Sequence, residues 1–242
     1  MNNLNIENYK YILPENKIPK YPLDERSDSK LLYLNKGVIE DKFFKDVPLL
    51  CRNTHFVFND TKVLFARILF TKTSGAEIEI FCLEPFEPSD YSLNLSQTDS
   101  CKWKCLVGNL KKWKDKTICR SLIIDSNNIT LQAEIIERVN DTIIINFTWD
   151  NNLFTFSDLI HNIGTVPIPP YLKRKSEEKD KISYQTVYAM QEGSVAAPTA
   201  GLHFTNDLMK QLSSFNIDVS FITLHVSAGT FKPVKSQWVK NH

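Results

Sequence analysis

The chain has 242 residues, with 29 basic and 28 acidic side chains and a formal net charge of +1, long enough for one large domain or two modest ones. The near-cancellation of charge excludes a global field for nucleic acid, so any such contact must come from local patches. No run is long and apolar enough to cross a membrane, and Glu7, Lys10, Pro14 and Glu15 stand where a signal peptide would need its apolar core. A cytoplasmic protein without membrane contact is expected.

The first segment, to about Thr61, mixes loop and sheet signals. Three prolines interrupt YILPENKIPKYPLDERSDSKLLYL before a short apolar strand at residues 31–34. Residues 41–50 read as a short helix or turn, and residues 54–58 as a strand that ends in Asn59, Asp60 and Thr61. Those three polar side chains suit either a simple turn, bonding to nearby backbone, or a ligand loop at a strand end.

From about Val63 the pattern changes. Residues 76–83, AEIEIFCL, open in strict alternation; residues 103–107, 129–139 and 142–149 follow, with polar turns such as residues 125–128 between them. This predicts an inserted antiparallel β-barrel domain over residues 63–150. Its lysines Lys111, Lys112, Lys114 and Lys116, interleaved with Trp103 and Trp113, have the composition of a nucleic-acid patch. The same composition suits a solvated hairpin edge, where lysines block aggregation. Five scattered cysteines, Cys51, Cys82, Cys101, Cys105 and Cys119, predict reduced structural thiols, with neither a disulfide framework nor a metal site.

After Leu153 the helical period returns. Phe154, Phe156, Leu159, Ile160 and Ile163 fit a short helix closed by Gly164. The prolines of VPIPPYLKR, residues 166–174, impose an extended path ending in Lys173 and Arg174, either a surface loop or a phosphate-contacting arm. Residues 184–189 read as a strand, residues 205–215 as a helix capped by Thr205 and stopped by Asn216, and residues 217–226 as a second strand. This order predicts a βαβ-type unit.

Between its first strand and its helix lies VAAPTAGLHFT, residues 195–205. Pro198 fixes one φ, and Gly201 is expected to adopt a conformation that a side chain would forbid. His203 precedes a helix start whose free N–H groups suit a polar or anionic ligand. His225 falls near the carboxyl end of the second strand, the edge at which α/β sheets gather ligands. An isolated histidine in such a place is more often a core or hydrogen-bonding residue than a catalyst.

The segment YQTVYAMQEGSVAAPTAGLHFTNDLMKQLSSFNIDVSFITLHVSAGTF, residues 184–231, resembles the S-adenosylmethionine:tRNA ribosyltransferase-isomerase family of queuosine biosynthesis. YPLDERSDSKLL (21–32), FVFNDTKVLFARI (56–68), WKCLVGNLKKWK (103–114) and VPIPPYLKR (166–174) are similar to that family in the same order. The resemblance implies an α/β main domain formed from both ends of the chain, residues 1–62 and 151–242, interrupted by the β-barrel domain. It also implies that S-adenosylmethionine serves as co-substrate, a ribosyl donor, with no metal. The implied partner is a tRNA carrying 7-aminomethyl-7-deazaguanine at the anticodon wobble position, and the product is epoxyqueuosine-tRNA with release of adenine and methionine. A monomer or weak oligomer is expected.

That chemistry needs proton transfers shielded from water. His203, His225 and Asp60 are the candidate catalytic groups; Asn59, Thr61, Thr199, Ala200 and Gly201 would bind and orient the donor. Arg67, Lys173, Arg174, Lys111 and Lys112 are the candidate tRNA contacts. Two departures from the family stand out. Ser227 replaces a typical glycine, which would strain the loop if that position required positive φ. The family also continues with a Met-His-x-Glu run and a further α/β segment, of which His242 looks like the first residue. The alternative to the enzyme is a non-catalytic tRNA- or nucleoside-binding remnant. A methyltransferase is disfavoured, because no glycine-rich strand-to-helix fingerprint appears.

Overall fold

A computed structural model of the chain describes residues 4–227, 229 and 236–241. Strands β1 (Lys30–Asn35) and β2 (Val38–Phe43) form a hairpin. Its turn residues Lys36 and Gly37 have φ of 47° and 84°, the left-handed pair that a tight hairpin requires. A short helix, α1 (Val47–Leu50), leads into β3 (His55–Asn59) and β4 (Thr61–Val63).

The alternating segment builds β5 (Arg67–Thr71), β6 (Glu77–Glu87), a short helix α2 (Tyr91–Leu95), then β7 (Ser100–Val107), β8 (Thr117–Ile124), β9 (Asn127–Val139) and β10 (Thr142–Trp149). Helix α3 (Phe156–Ile163) and the two-residue strand β11 (Gly164–Thr165) complete it. The antiparallel sheet runs β11-β5-β6-β7-β10-β9-β8. Alternate residues point inward, so Ile68, Phe70, Ile80, Trp103, Leu131 and Phe147 are all buried in one core. Asp125 and Ser126, both at positive φ, close the β8–β9 hairpin where the polar turn was expected.

Bulges in β6 and β9 bend these long strands and curl the sheet. The curl brings β8 round to β5, where Arg120 donates to the Leu69 carbonyl at 2.7 Å. The ladder itself does not close: β11 occupies the edge of β5 at Arg67 and Ile68, so the seam is bridged by a side chain. The result is a mixed α/β chain built on a large curled antiparallel sheet, a half-barrel, where a barrel was expected.

Helix α3 covers the sheet core. A reciprocal cap between Thr155 and Asp158 starts it, and Phe156, Leu159, Ile160 and Ile163 form its buried face. Gly164 ends it in extended conformation; a Cβ there would meet the Phe65 carbonyl at 2.0 Å. Close approach, and no left-handed cap, requires this glycine.

The return half contributes α4 (Asp180–Ser183), β12 (Gln191–Ser194), α5 (Asn206–Gln211) and β13 (Asp218–Ile222). Residues 184–189, expected as a strand, are instead a turn. They send Tyr184 to the cluster around Val63 and Ile168 and Tyr188 to the cluster around Phe58 and Phe204. Gln185 supplies what a ladder would have: its amide accepts from Val63 N–H at 2.9 Å and donates to Val63 C=O at 2.7 Å. The strand begins two residues beyond that segment, at Gln191, as β12.

Nor do the strands flanking α5 share one ladder. β12 pairs in parallel with β4, and β13 pairs in parallel with β3. Asp60 is the junction. Its N–H bonds Ile222 C=O at 3.0 Å, and its carbonyl accepts from Met190 and Gln191. Residues 55–63 thus change partner at one residue, and that residue lies between both neighbours. Among the described residues no helix is long and apolar enough to cross a membrane.

Candidate functional site

The junction gathers four of the expected side chains. Asn59 clamps the backbone of Leu224 from both sides, donating to its carbonyl at 2.8 Å and accepting from its N–H at 2.9 Å. The buried carboxylate of Asp60 accepts from Thr223 Oγ1 at 2.7 Å. Thr61, fully buried, places its Oγ1 2.8 Å from His225 Nδ1. Each side chain at the end of β3 and start of β4 therefore grips the segment that follows β13. A loop distant in sequence is held in register by three consecutive polar residues.

The other wall is β12. Ser194 Oγ accepts the Val226 N–H at 2.7 Å, while the Val226 carbonyl accepts from Val195 and Ala196. Gly193, at φ 153°, lies against the imidazole; a Cβ there would come within 2.4–2.6 Å of Cε1, Nδ1 and Nε2 of His225. Burial holds His225 below its ordinary pKa, while Asp60 and Asp90 pull it upward. A neutral imidazole in this slot can take a proton near neutrality.

His203 and Thr199, Ala200 and Gly201 are placed otherwise. Residues Thr199–His203 wind into a 3-10 helix, and Thr205 takes up the Leu208 N–H of α5 at 3.1 Å. The expected open ligand turn is thus largely committed to its own backbone. Gly201 is not in the left-handed region; it is required because a Cβ would lie 2.1 Å from the Tyr188 hydroxyl. His203 lies tilted against Phe44, ring centroids 5.1 Å apart, and burial lowers its pKa against a hydrogen bond to the Arg26 backbone that raises it. Arg26 in turn donates to the carbonyls of Ile182 at 2.6 Å and Gln185 at 2.7 Å. It ties the YPLDERSDSKLL motif to the turn below His203.

The cationic candidates are divided. Arg67 is paired with Glu79 at 2.5 Å and lies over the Phe81 ring. Arg174 makes a two-pronged pair with the buried Asp180, at 2.6 and 2.7 Å, over the ring of Tyr21; Lys173 is paired with Glu15. Arg67 and Arg174 also line a cleft of about 570 Å³ between the sheet edge at Glu79 and Asn109 and the arm at Thr165 and Pro170. Lys111 and Lys112 are exposed in the turn beyond Asn109. The tryptophans read with them are not: Trp103 and Trp113 are 0 % and 7 % exposed. They belong to the core because inward alternation and the 3-10 turn aim them there, so the stacking half of that nucleic-acid reading is withdrawn.

One carboxylate on β12, Glu192, gave no sequence signal. Glu192 accepts from Lys62 at 2.8 Å, His161 at 2.7 Å and Ser157 at 3.0 Å. The His161 contact first, then Lys62, pull its carboxyl down to about 2. Cys82 and Cys105 face each other across β6 and β7 with sulfurs 4.0 Å apart, and burial raises the Cys105 thiol. Among the described residues no three His, Cys, Asp or Glu side chains gather to hold a metal ion. Ser227 is not among the described residues of positive φ, so the expected strain is not present. His242 lies outside the described residues.

A sequence model of the family described as "Queuosine biosynthesis protein" matches residues 6–242. The chain is 36% identical over 241 residues to the S-adenosylmethionine:tRNA ribosyltransferase-isomerase of Trichlorobacter lovleyi, covering 98% of this chain and 64% of that protein. A protein of the same name from Sulfurihydrogenibium sp. is 36% identical over 243 residues, covering 99% and 66%. The chain therefore spans about two thirds of the length of these relatives. A crystal structure of an S-adenosylmethionine tRNA ribosyltransferase from Thermotoga maritima aligns with 25% identity and a TM-score of 0.31, over 89% of this chain and 57% of that one.

Proposed function

The chain belongs to the queuosine biosynthesis protein family, and on that premise we propose that it acts on S-adenosylmethionine and tRNA. It transfers and isomerises the ribosyl group of the sulfonium donor onto 7-aminomethyl-7-deazaguanine in the anticodon, giving epoxyqueuosine-tRNA, adenine and methionine. The observation that carries this reading is the convergence of Asn59, Asp60, Thr61 and His225 on one strand junction, within motifs that match the family from end to end.

The sulfonium makes the adjacent ribose C5′–H acidic, and His225 is the group that takes this proton. Thr61 holds Nδ1, which leaves Nε2 for the transfer. Asp60, beside it, favours the imidazolium once formed. Adenine then leaves, the tRNA amine adds, and closure of the epoxide expels methionine. His203, with Thr199, Ala200 and Gly201, orients the donor from the neighbouring 3-10 helix. Lys111 and Lys112, together with Lys173 and the cleft-lining Arg67, hold tRNA phosphates. The two-part division, a β-barrel domain of residues 63–150 inserted between 1–62 and 151–242, belongs to the same reading.

Incubation of the purified protein with S-adenosylmethionine and precursor-bearing tRNA, followed by mass spectrometry of the digested nucleosides, tests this directly. Epoxyqueuosine with stoichiometric adenine is the expected result; a methylated nucleoside would sink it. A second reading, a non-catalytic tRNA- or nucleoside-binding remnant, is favoured by the exposure of Phe221, Ile222 and Leu224 beside the site, which leaves that wall open to water. Binding of tRNA without adenine release would select it.

A further inference from the structure

Tyr91 reaches His225 from the opposite half of the topology. It is the first residue of α2, between β6 and β7, whereas His225 follows β13. Asp90 fixes the start of α2 by accepting the Leu93 N–H at 2.9 Å. The Tyr91 ring leans edge-on against the fully buried Trp103 at 6.0 Å, and its hydroxyl reaches toward the Leu83 carbonyl at 3.5 Å. Its other ring contact among the described residues is the His225 imidazole, with centroids 4.6 Å apart and planes at 48°.

The imidazole is therefore restrained by groups from three elements. Gly193 on β12 leaves it room that no side chain would. Thr61 on β4 takes Nδ1. Tyr91 on α2 fills the space against the ring. Nε2 has no hydrogen-bond partner among the described residues, so it is the ring atom left for a proton.

We propose that Tyr91 is a positioning residue that holds the His225 imidazole against Gly193, with Nδ1 on Thr61, so that Nε2 faces the reacting group. The inference rests on the reading of His225 as the proton acceptor. It also means that the curled sheet, through α2, supplies one wall of the site. The charged groups around the ring are Asp60 from the strand junction and Asp90 from the start of α2. Tyr91 adds no charge near neutrality, since burial first and Glu84 second push its hydroxyl up to about 12. Its part is the shape and dryness of the slot.

The test compares the full chain with Tyr91→Phe, Tyr91→Leu and Tyr91→Met, following the His225 imidazole by NMR as pH is varied. The phenylalanine variant keeps the ring and should titrate as the wild type does. In the leucine variant water reaches the ring, and His225 should titrate higher, toward an exposed histidine. In the nucleoside assay the leucine variant should lose about 10²-fold in kcat with the KM for the donor unchanged.

A folded leucine variant whose His225 titrates as in the wild type overturns the proposal, as does one that loses only melting temperature. If leucine prevents folding, the methionine variant, closer in volume, gives the same two readouts. The titration needs no turnover, so an inactive wild type would remove the proposed reaction and leave this result standing.

Discussion

Thr61 Oγ1 stands 2.8 Å from His225 Nδ1, joining the start of one strand to a loop 164 residues further along the chain. The bond is formed because β4 and β12 are parallel neighbours and the residue before them, Asp60, is paired on both sides. It sets which imidazole nitrogen is engaged and which is free.

Replacing Thr61 by Val keeps the shape and removes the hydroxyl. Loss of one buried hydrogen bond should cost about 1 kcal/mol in denaturant unfolding. Epoxyqueuosine formation should fall about tenfold at saturating donor, because a misoriented base affects the transition state more than the ground state. A Thr61→Val protein with unchanged kcat would show that His225 needs no such anchor.

Gly201 and Tyr188 form a second testable pair. A methyl group at 201 would lie 2.1 Å from the Tyr188 hydroxyl but 3.2 Å from the ring carbon that bears it. Gly201→Ala alone should destabilise by about 1–3 kcal/mol through overpacking. Adding Tyr188→Phe removes the clashing oxygen and should recover about 1 kcal/mol or more of that loss, a coupling measurable in a double-mutant cycle. Additive effects of the two changes would mean that Gly201 is required for some other reason.

Glu192 predicts a pH dependence of stability. Its carboxyl is held at about 2 in the folded chain against an ordinary 4.5, by His161 and Lys62. A depressed carboxyl contributes stability that is full above the unfolded value and is lost as pH falls from about 4.5 toward 2. With 22 % of the side chain exposed, the contribution is on the order of 1–2 kcal/mol after screening. Thermal melts of Glu192→Gln should be lower than wild type at pH 6 and converge with it near pH 2. Parallel curves across that range would contradict the assignment.

The cationic residues should separate into two classes. Arg174 and Asp180 are 9 % and 3 % exposed, so Arg174→Ala strands a buried carboxylate and should cost about 3–5 kcal/mol of stability. Lys111→Ala and Lys112→Ala should leave the melting temperature unchanged. Each should weaken tRNA binding and reduce the slope of log K against log salt by about 1. An unaltered salt slope would remove these lysines from the tRNA surface.

The elements that were legible are those whose pattern is local. Alternation revealed β6, β7, β9 and β10; the reciprocal cap and apolar period revealed α3; Thr205 and Asn216 bracketed the segment of α5. Residues 184–189 were misread because two tyrosines at strand-like spacing serve two different clusters, and Gln185 imitates a ladder with its side chain. The tryptophans beside the lysines were misread because sequence adjacency says nothing about which face a strand buries.

By itself the sequence determined the family, the alternating sheet, the capped helices and the chemical types at positions 59, 60, 61 and 225, since each follows from local order and spacing. Only the tertiary structure decided that these four meet while His203 belongs to a neighbouring cluster, that the sheet curls without closing its ladder, and that Arg174 is spent on Asp180. The physical reason is the same in each case. Strand partners, bulges and the room left by a glycine are set by long-range packing, and a change of partner at the single residue Asp60 has no counterpart in any window of the chain.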